Sequence, residues 1–207
     1  MAKFQIVSID EPIGSDAEAS LTVARLVARA EYLGLWPDLE GEQVVDRLFL
    51  NTLFLKLGAA GLERSDRIRL SHAGDLAEYR RLLEHALEVT EQSPLPASEW
   101  APLQAVLGDE LLAALLDISP ASLRRYSRNE RGTPDDIAAR LHFLALVVAD
   151  LSGSYNDYGI RRWFARPRQA LGGKSPAAAL EGAFQPSDDS ARTVSQLAGD
   201  LLGAGAA

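Results

Sequence analysis

The sequence predicts an all-α protein, with a helical N-terminal domain at residues 1–95 and a second helical half after it. Three observations predict this. Apolar residues recur at helical spacing through most of the 207 residues. Ser, Thr or Asp followed by Pro or acidic residues repeatedly marks a helix start. Only one short stretch, residues 4–9, reads as a strand or an extended arm.

From Asp16 onward Leu21, Val23, Leu26 and Val27 keep helical spacing up to Tyr32-Leu33, and Gly34 ends the helix. A helix over about 42–57 carries Val44, Val45, Leu48, Phe49, Leu53, Phe54 and Leu57 around most of its circumference. That predicts a central place in a core, and Gly58 and Gly61 break the helix. A third runs from Asp75 to about Thr90, with Leu76, Tyr79, Leu83 and Leu87 on one face. SPLPASEW, residues 93–100, has two prolines and two serines and is the best linker candidate.

Beyond it, residues 102–107 and 109–116 read as two short helices and 120–129 as another. Thr133-Pro134-Asp135-Asp136 predicts a Thr cap, Pro at the first helical position and acids in the first turn. That helix runs to about Leu151 and stops at Ser152-Gly153. Ser175-Pro176 repeats the signal for a helix to about Gly182. Val194, Leu197, Leu201 and Leu202 make 189–202 a final amphipathic helix. The GAGAA end has nothing to bury and is expected to be loose.

Composition excludes several classes. Without cysteine there is no disulfide, no thiolate zinc site and no Cys nucleophile. The three histidines, His72, His85 and His142, form no motif, so no metal or cofactor is expected. Glu84 and Glu88, one helical turn apart, and the neighbours Asp135 and Asp136 read as solvated faces or helix-start charges. No enzyme is expected. With neither a basic-then-apolar leader nor an apolar run of about 20 residues, a cytoplasmic protein without a membrane partner is expected. The net charge of −8 argues against general nucleic-acid binding. Residues 121–174, however, hold ten basic and five acidic side chains, a local +5 that leaves −13 for the rest. Such a stripe either meets phosphate locally or is a solvated face paired with the acidic half.

Within the stripe, LLAALLDISPASLRRYSRNE (111–130) matches the pattern of a helix-turn-helix. Ala113 is the small residue where the second helix crosses the first. Asp117 stands at the turn, where Gly is usual; Asp tolerates the left-handed conformation better than most residues. Ser119 caps the second helix and Pro120 takes its first position. Leu123 and Tyr126 face inward beside Leu112 and Leu116. The outward set of Ala121, Ser122, Arg124, Arg125 and Arg128, with Ser119, is the candidate DNA-contact surface, since arginines pair bidentately with guanine or with phosphate.

The segment GIRRWFARPRQALGGKSPAAAL (159–180) contains Gly173-Lys174-Ser175, the ending of a nucleotide-binding P-loop. Such a loop needs a glycine five positions before Gly173, where Arg168 stands, and a buried strand before it, which is missing. Trp163-Phe164, Pro167, Ala170-Leu171-Gly172-Gly173-Lys174-Ser175-Pro176 and Leu180, following a helix-turn-helix, instead resemble the C-terminal domain of the Xre/MbcA/ParS-like type II antitoxins. The resemblance covers about residues 102–202 and leaves 1–95 outside. Where that family often has Asn-Pro, this chain has Arg166-Pro167-Arg168.

The resemblance implies a helix-turn-helix domain at 102–152 and a toxin-binding domain at 153–207. It implies a cognate RES-domain toxin that degrades NAD, neutralised by binding, and repression of the chain's own operon at an operator DNA. The candidate toxin contacts are Trp163, Phe164, Arg166, Arg168, Leu171, Gly172, Gly173 and Lys174; Trp163 and Phe164 fit a core as well as an interface. A homodimer is expected, because one helix-turn-helix reads half a site. The competing expectation is a stand-alone transcription regulator whose first 95 residues sense a signal or dimerise.

Overall fold

The computed structural model describes residues 4–204, which are mostly helical with one small two-stranded sheet. No single described helix is long and apolar enough to cross a membrane. The chain divides into two compact units, one ending at Pro94 and the other beginning at Leu95.

In the first unit, β1 (Phe4–Ile9) pairs in parallel with β2 (Gly41–Val45). Between them lies α1 (Ala17–Tyr32), and after them come α2 (Arg47–Leu57), α3 (Arg64–His72) and α4 (Leu76–Gln92). The extended reading of 4–9 is therefore a strand. The helix expected over 42–57 is shorter. Residues 41–45 are its strand partner, and Asp46 caps α2 by accepting from the Phe49 N–H at 2.7 Å. The apolar residues of that stretch consequently do not share one buried cylinder. Phe49, Leu53, Phe54 and Leu57 are buried, whereas Val44 and Leu48 are exposed. Helix α3 has no counterpart in the sequence reading, because RSDRIRLSH holds only two aliphatic residues, and of these only Leu70 is buried.

Polar anchors join the helices of this unit. Arg29 of α1 is buried. Its guanidinium donates to the Leu87 carbonyl at 2.9 Å and Thr90 Oγ1 at 3.1 Å, and pairs with Glu91 at 2.8 Å, so α1 is tied to the last turns of α4. Asp16 caps α1 by accepting from the Ala19 N–H and also pairs with Arg80 of α4, which reaches Glu18 at 3.0 Å as well.

The second unit contains α5 (Pro96–Leu107), α6 (Asp109–Leu115), α7 (Pro120–Ser127), α8 (Asp135–Ser152), α9 (Asp157–Ala165), the short α10 (Pro176–Ala179) and α11 (Asp189–Ala204). The expected linker over 93–100 is mostly helix. Pro96 takes the first position of α5, and the Glu99 carboxylate reaches back to the Leu95 N–H at 3.0 Å. Those are the helix-start signals used elsewhere in the chain. Helix α8 begins one residue later than predicted. Pro134 is its cap, and Thr133 instead accepts a hydrogen bond from the Trp100 indole at 3.2 Å. The stop after Ser152 is as expected. The helix from Ser175-Pro176 ends early, at Ala179. A division at 152/153 does not separate two cores, because α8 packs on α11 and on α9, and α5 packs on both α8 and α9. At the C-terminal end, Gly203 and Ala204 continue α11; residues 205–207 and the Leu202 side chain lie outside the described residues.

The Asp16 carboxyl sits below its ordinary value of 3.8, first because Arg80 hydrogen-bonds it and then because the Ala19 N–H does. A lowered folded-state value gives stability that is complete above the unfolded value and is lost as pH falls through the folded one. Asp16→Asn keeps a capping side chain and removes the charge. Its melting temperature should lie below wild type at about pH 6, with the gap closing as pH drops below about 4. Equal melting at the higher pH would mean the pair contributes nothing.

Candidate functional site

Two surfaces of the second unit carry the sequence-predicted residues. The first is built from α6, a four-residue turn and α7. Asp117 adopts φ 54°, the left-handed conformation that closes the turn, and the Ile118 N–H then bonds the Ala113 carbonyl at 3.0 Å. Ser119 Oγ accepts from the Ser122 N–H at 3.1 Å, capping α7, and Pro120 occupies the first position. Leu112, Ala113, Leu116, Leu123 and Tyr126 are buried together. The inward and outward faces of α7 are thus those the sequence predicts.

Trp100 fixes α7 from below, and sequence reasoning missed it by placing it in a linker. Its ring stacks on Tyr126, with centroids 6.2 Å apart and planes 24° apart. On the outer side Ser119, Ala121, Arg124, Arg125 and Arg128 are exposed and Ser122 is half-buried. Arg128 meets only Glu130, at 3.9 Å, a loose surface pair. Arg131, also absent from the predicted set, continues the basic row with its guanidinium 6.0 Å from the Tyr126 ring. Asn129, at φ 58°, ends α7 in the manner of a C-terminal glycine.

The second surface is the loop 166–175. Trp163 and Phe164 do not belong to it. Trp163 is 2% exposed and Phe164 fully buried, and their rings meet edge to face at 5.2 Å. They pack α9 into the unit, so their side chains offer nothing for a partner to touch. Arg161, next to them, donates to the Val106 carbonyl at 2.5 Å and ties α9 to the end of α5. The predicted residues that do reach the surface are Arg166, Gly172, Gly173 and Lys174, with Arg168 and Leu171 half-buried. The Arg168 guanidinium lies 5.1 Å from the Trp163 ring.

The loop closes on itself. The Arg168 N–H donates to the Lys174 carbonyl at 2.9 Å and the Gly173 N–H to the Arg168 carbonyl at 3.0 Å. Within it, the Gly172 N–H bonds Gln169 at 2.9 Å and the Lys174 N–H bonds Leu171 at 3.2 Å. Gly172 and Gly173 hold φ 63° and 84°, and a Cβ on either would meet nothing within 4 Å. Both are therefore glycine for backbone reasons, not for lack of space. Ser175 caps α10 through the Ala178 N–H at 3.2 Å. The result is a stiff, exposed turn ringed by Arg166 and Lys174 and standing on the Trp163–Phe164 base.

No protein-family model, curated protein or solved structure matches this chain.

Gly173→Ala should lower stability by about 1–2 kcal/mol, the cost of a left-handed L-residue. Gly132, which has negative φ and equally open surroundings, is the matched control. Gly132→Ala should leave stability unchanged or raise it by up to about 1 kcal/mol. Urea unfolding of the two variants checks the contrast; equal effects would mean the 172–173 backbone is not constrained as described.

Proposed function

We propose that the protein is an antitoxin that binds and neutralises a RES-domain, NAD-degrading toxin and represses its own operon through α6–α7. The observation that carries the DNA half is the arrangement of α7. Its apolar face is locked by Leu123 and by the Tyr126–Trp100 stack, which leaves Arg124, Arg125 and Arg128 together on the exposed side. A rigid helix with small residues at its start and arginines behind them can approach base edges closely and pair with guanine or phosphate. The toxin half rests on the resemblance of residues 163–180 to the antitoxin domain and on the stiff display of Gly172, Gly173 and Lys174. Arg166 and Lys174 supply charge for acidic groups on the toxin.

The self-contained first unit, with its own core, favours a second reading: a stand-alone regulator in which this unit senses or dimerises. A RES-type reading frame beside this gene separates the two, since only the antitoxin requires one.

Arg124→Ala and Arg125→Ala should each weaken binding to the operator by about 1–3 kcal/mol in a gel-shift titration, and a phosphate contact should also flatten the salt dependence. Unchanged affinity in both removes α7 as the reading helix. Independently, co-expression with the neighbouring toxin should restore growth and yield a stable complex, and Arg166→Ala with Lys174→Ala should weaken both. Failure of the wild-type chain to bind or rescue removes the antitoxin role.

A further inference from the structure

The first unit holds a polar cleft that neither reading uses. It opens between α3 and α4 and encloses about 490 Å³, within the range of small-ligand sites. Asp66 and Arg69 line it from α3, three residues apart and so on one face. Glu78, Arg81, Leu82 and His85 line it from α4 at i, i+3, i+4 and i+7, the spacing of a single helical stripe.

Asp66 decides the chemistry. Its side chain is only 9% exposed, yet its oxygens meet Arg69 at 3.7 Å and His85 at 3.5 Å and, among the described residues, nothing closer. Both separations exceed those of a formed N–H···O bond. Buried polar groups ordinarily have such bonds. The Asp66 oxygens open onto the cleft, and with only these two long ion pairs the carboxylate is an acceptor set for an incoming donor. The lining taken whole, Asp66 included, sets two guanidinium groups, Arg69 and Arg81, against two carboxylates, Asp66 and Glu78, with His85 and Leu82 beside them. A multiply charged anion would be repelled by the acids and a simple cation by the arginines. A hydroxyl would give Asp66 a hydrogen bond but would leave the two arginines unused.

We infer that this cleft binds a small zwitterion, a free amino acid or a close derivative. Its ammonium sits on Asp66 with Glu78, and its carboxylate meets Arg69 and Arg81. The site lies wholly within the first unit and does not depend on the DNA or toxin roles. If those roles fail, it is untouched; if it fails, they are.

The test uses the full-length protein and the common L-amino acids at millimolar concentration. Acetate, methylamine and inorganic phosphate serve as probes carrying one kind of charge. At least one amino acid should raise the melting temperature and give a saturable calorimetric isotherm, and the single-charge probes should not. Asp66→Asn, nearly isosteric, and Arg81→Gln, a change at an exposed position, should each weaken binding about tenfold or more, whereas Arg192→Gln should not. Arg81→Gln keeps the test decisive even if Asp66→Asn disturbs α3. No shift with any amino acid, a response to phosphate alone, or binding by both cleft variants as tight as wild type would overturn the inference. In the last two cases Asp66 is only a first-turn acid that stabilises α3 through the helix dipole and Arg69.

Discussion

The second unit depends on one constraint: α8 is buried nearly all the way round. From Ile137 to Leu151 only Ala139 and Leu146 escape full burial. A helix with so little exposed surface must be enclosed by neighbours, which here are α5, α9 and α11. Its polar residues are matched only in part, since Arg140 Nε and Nη1 have no hydrogen-bond partner among the described residues. Arg140 takes Asp136 at 2.8 Å, one turn back along the same helix. His142 meets Glu99 of α5 through Nδ1 and Oε1 at 2.6 Å, with both side chains buried. Glu99 also accepts from the Leu95 N–H, so one carboxylate both closes the start of α5 and fixes α5 against α8. Hydrogen bonds in such a setting specify one arrangement, because each buried group left unmatched is costly.

The proposed DNA-contact surface inherits its position from that constraint. With α5 held by Glu99, Trp100 on the next position faces two ways. Its indole N–H donates to Thr133, just ahead of α8, and its ring lies under Tyr126 of α7. Tyr126 and Leu123 then set the rotation of α7 about its own axis. The exposure of Arg124, Arg125 and Arg128 is thus fixed by residues that touch no ligand. A tilt of α7 on this base would move the arginines together, as a group.

Four helix starts in this chain were legible where a side-chain cap stands just before the helical pattern. Asp16, Asp75, Ser119 and Ser175 all cap through a backbone N–H three residues on. The turn at Asp117 and both faces of α7 were legible for the same reason, since a short helix with two core residues and three arginines has only one way to lie. Four things were hidden. Helix α9 has no counterpart in the sequence reading, although Asn156 caps it through the Gly159 N–H at 2.9 Å and Ile160, Trp163 and Phe164 keep helical spacing. Val44 and Val45 look helical beside the apolar residues of α2, but they pair with β1, and a tertiary partner some forty residues earlier leaves no local mark. Helix α3 has too few apolar residues to announce itself. Trp100 was obscured by two prolines in SPLPASEW, although Pro96 and Glu99 form a regular helix start. Local signals mislead where a proline serves a cap and is taken for a break.

The G-K-S stretch illustrates how local sequence and backbone geometry differ in what they determine. A phosphate cradle works by turning several backbone N–H groups outward toward one anion. In this loop the N–H groups of Arg168, Leu171, Gly172, Gly173 and Lys174 all donate to carbonyls of the same loop. The left-handed glycines make that internal network possible, because they let the chain reverse within a few residues. Having spent its donors internally, the backbone contributes shape, and the chemistry of the surface falls to side chains: Lys174 and Arg166 at the rim, with Arg168 half-buried over Trp163. A turn that bonds only to itself keeps its form whether or not anything is bound, so a partner meets it without an ordering cost. That self-contained shape follows from where the hydrogen bonds go rather than from the letters of the motif.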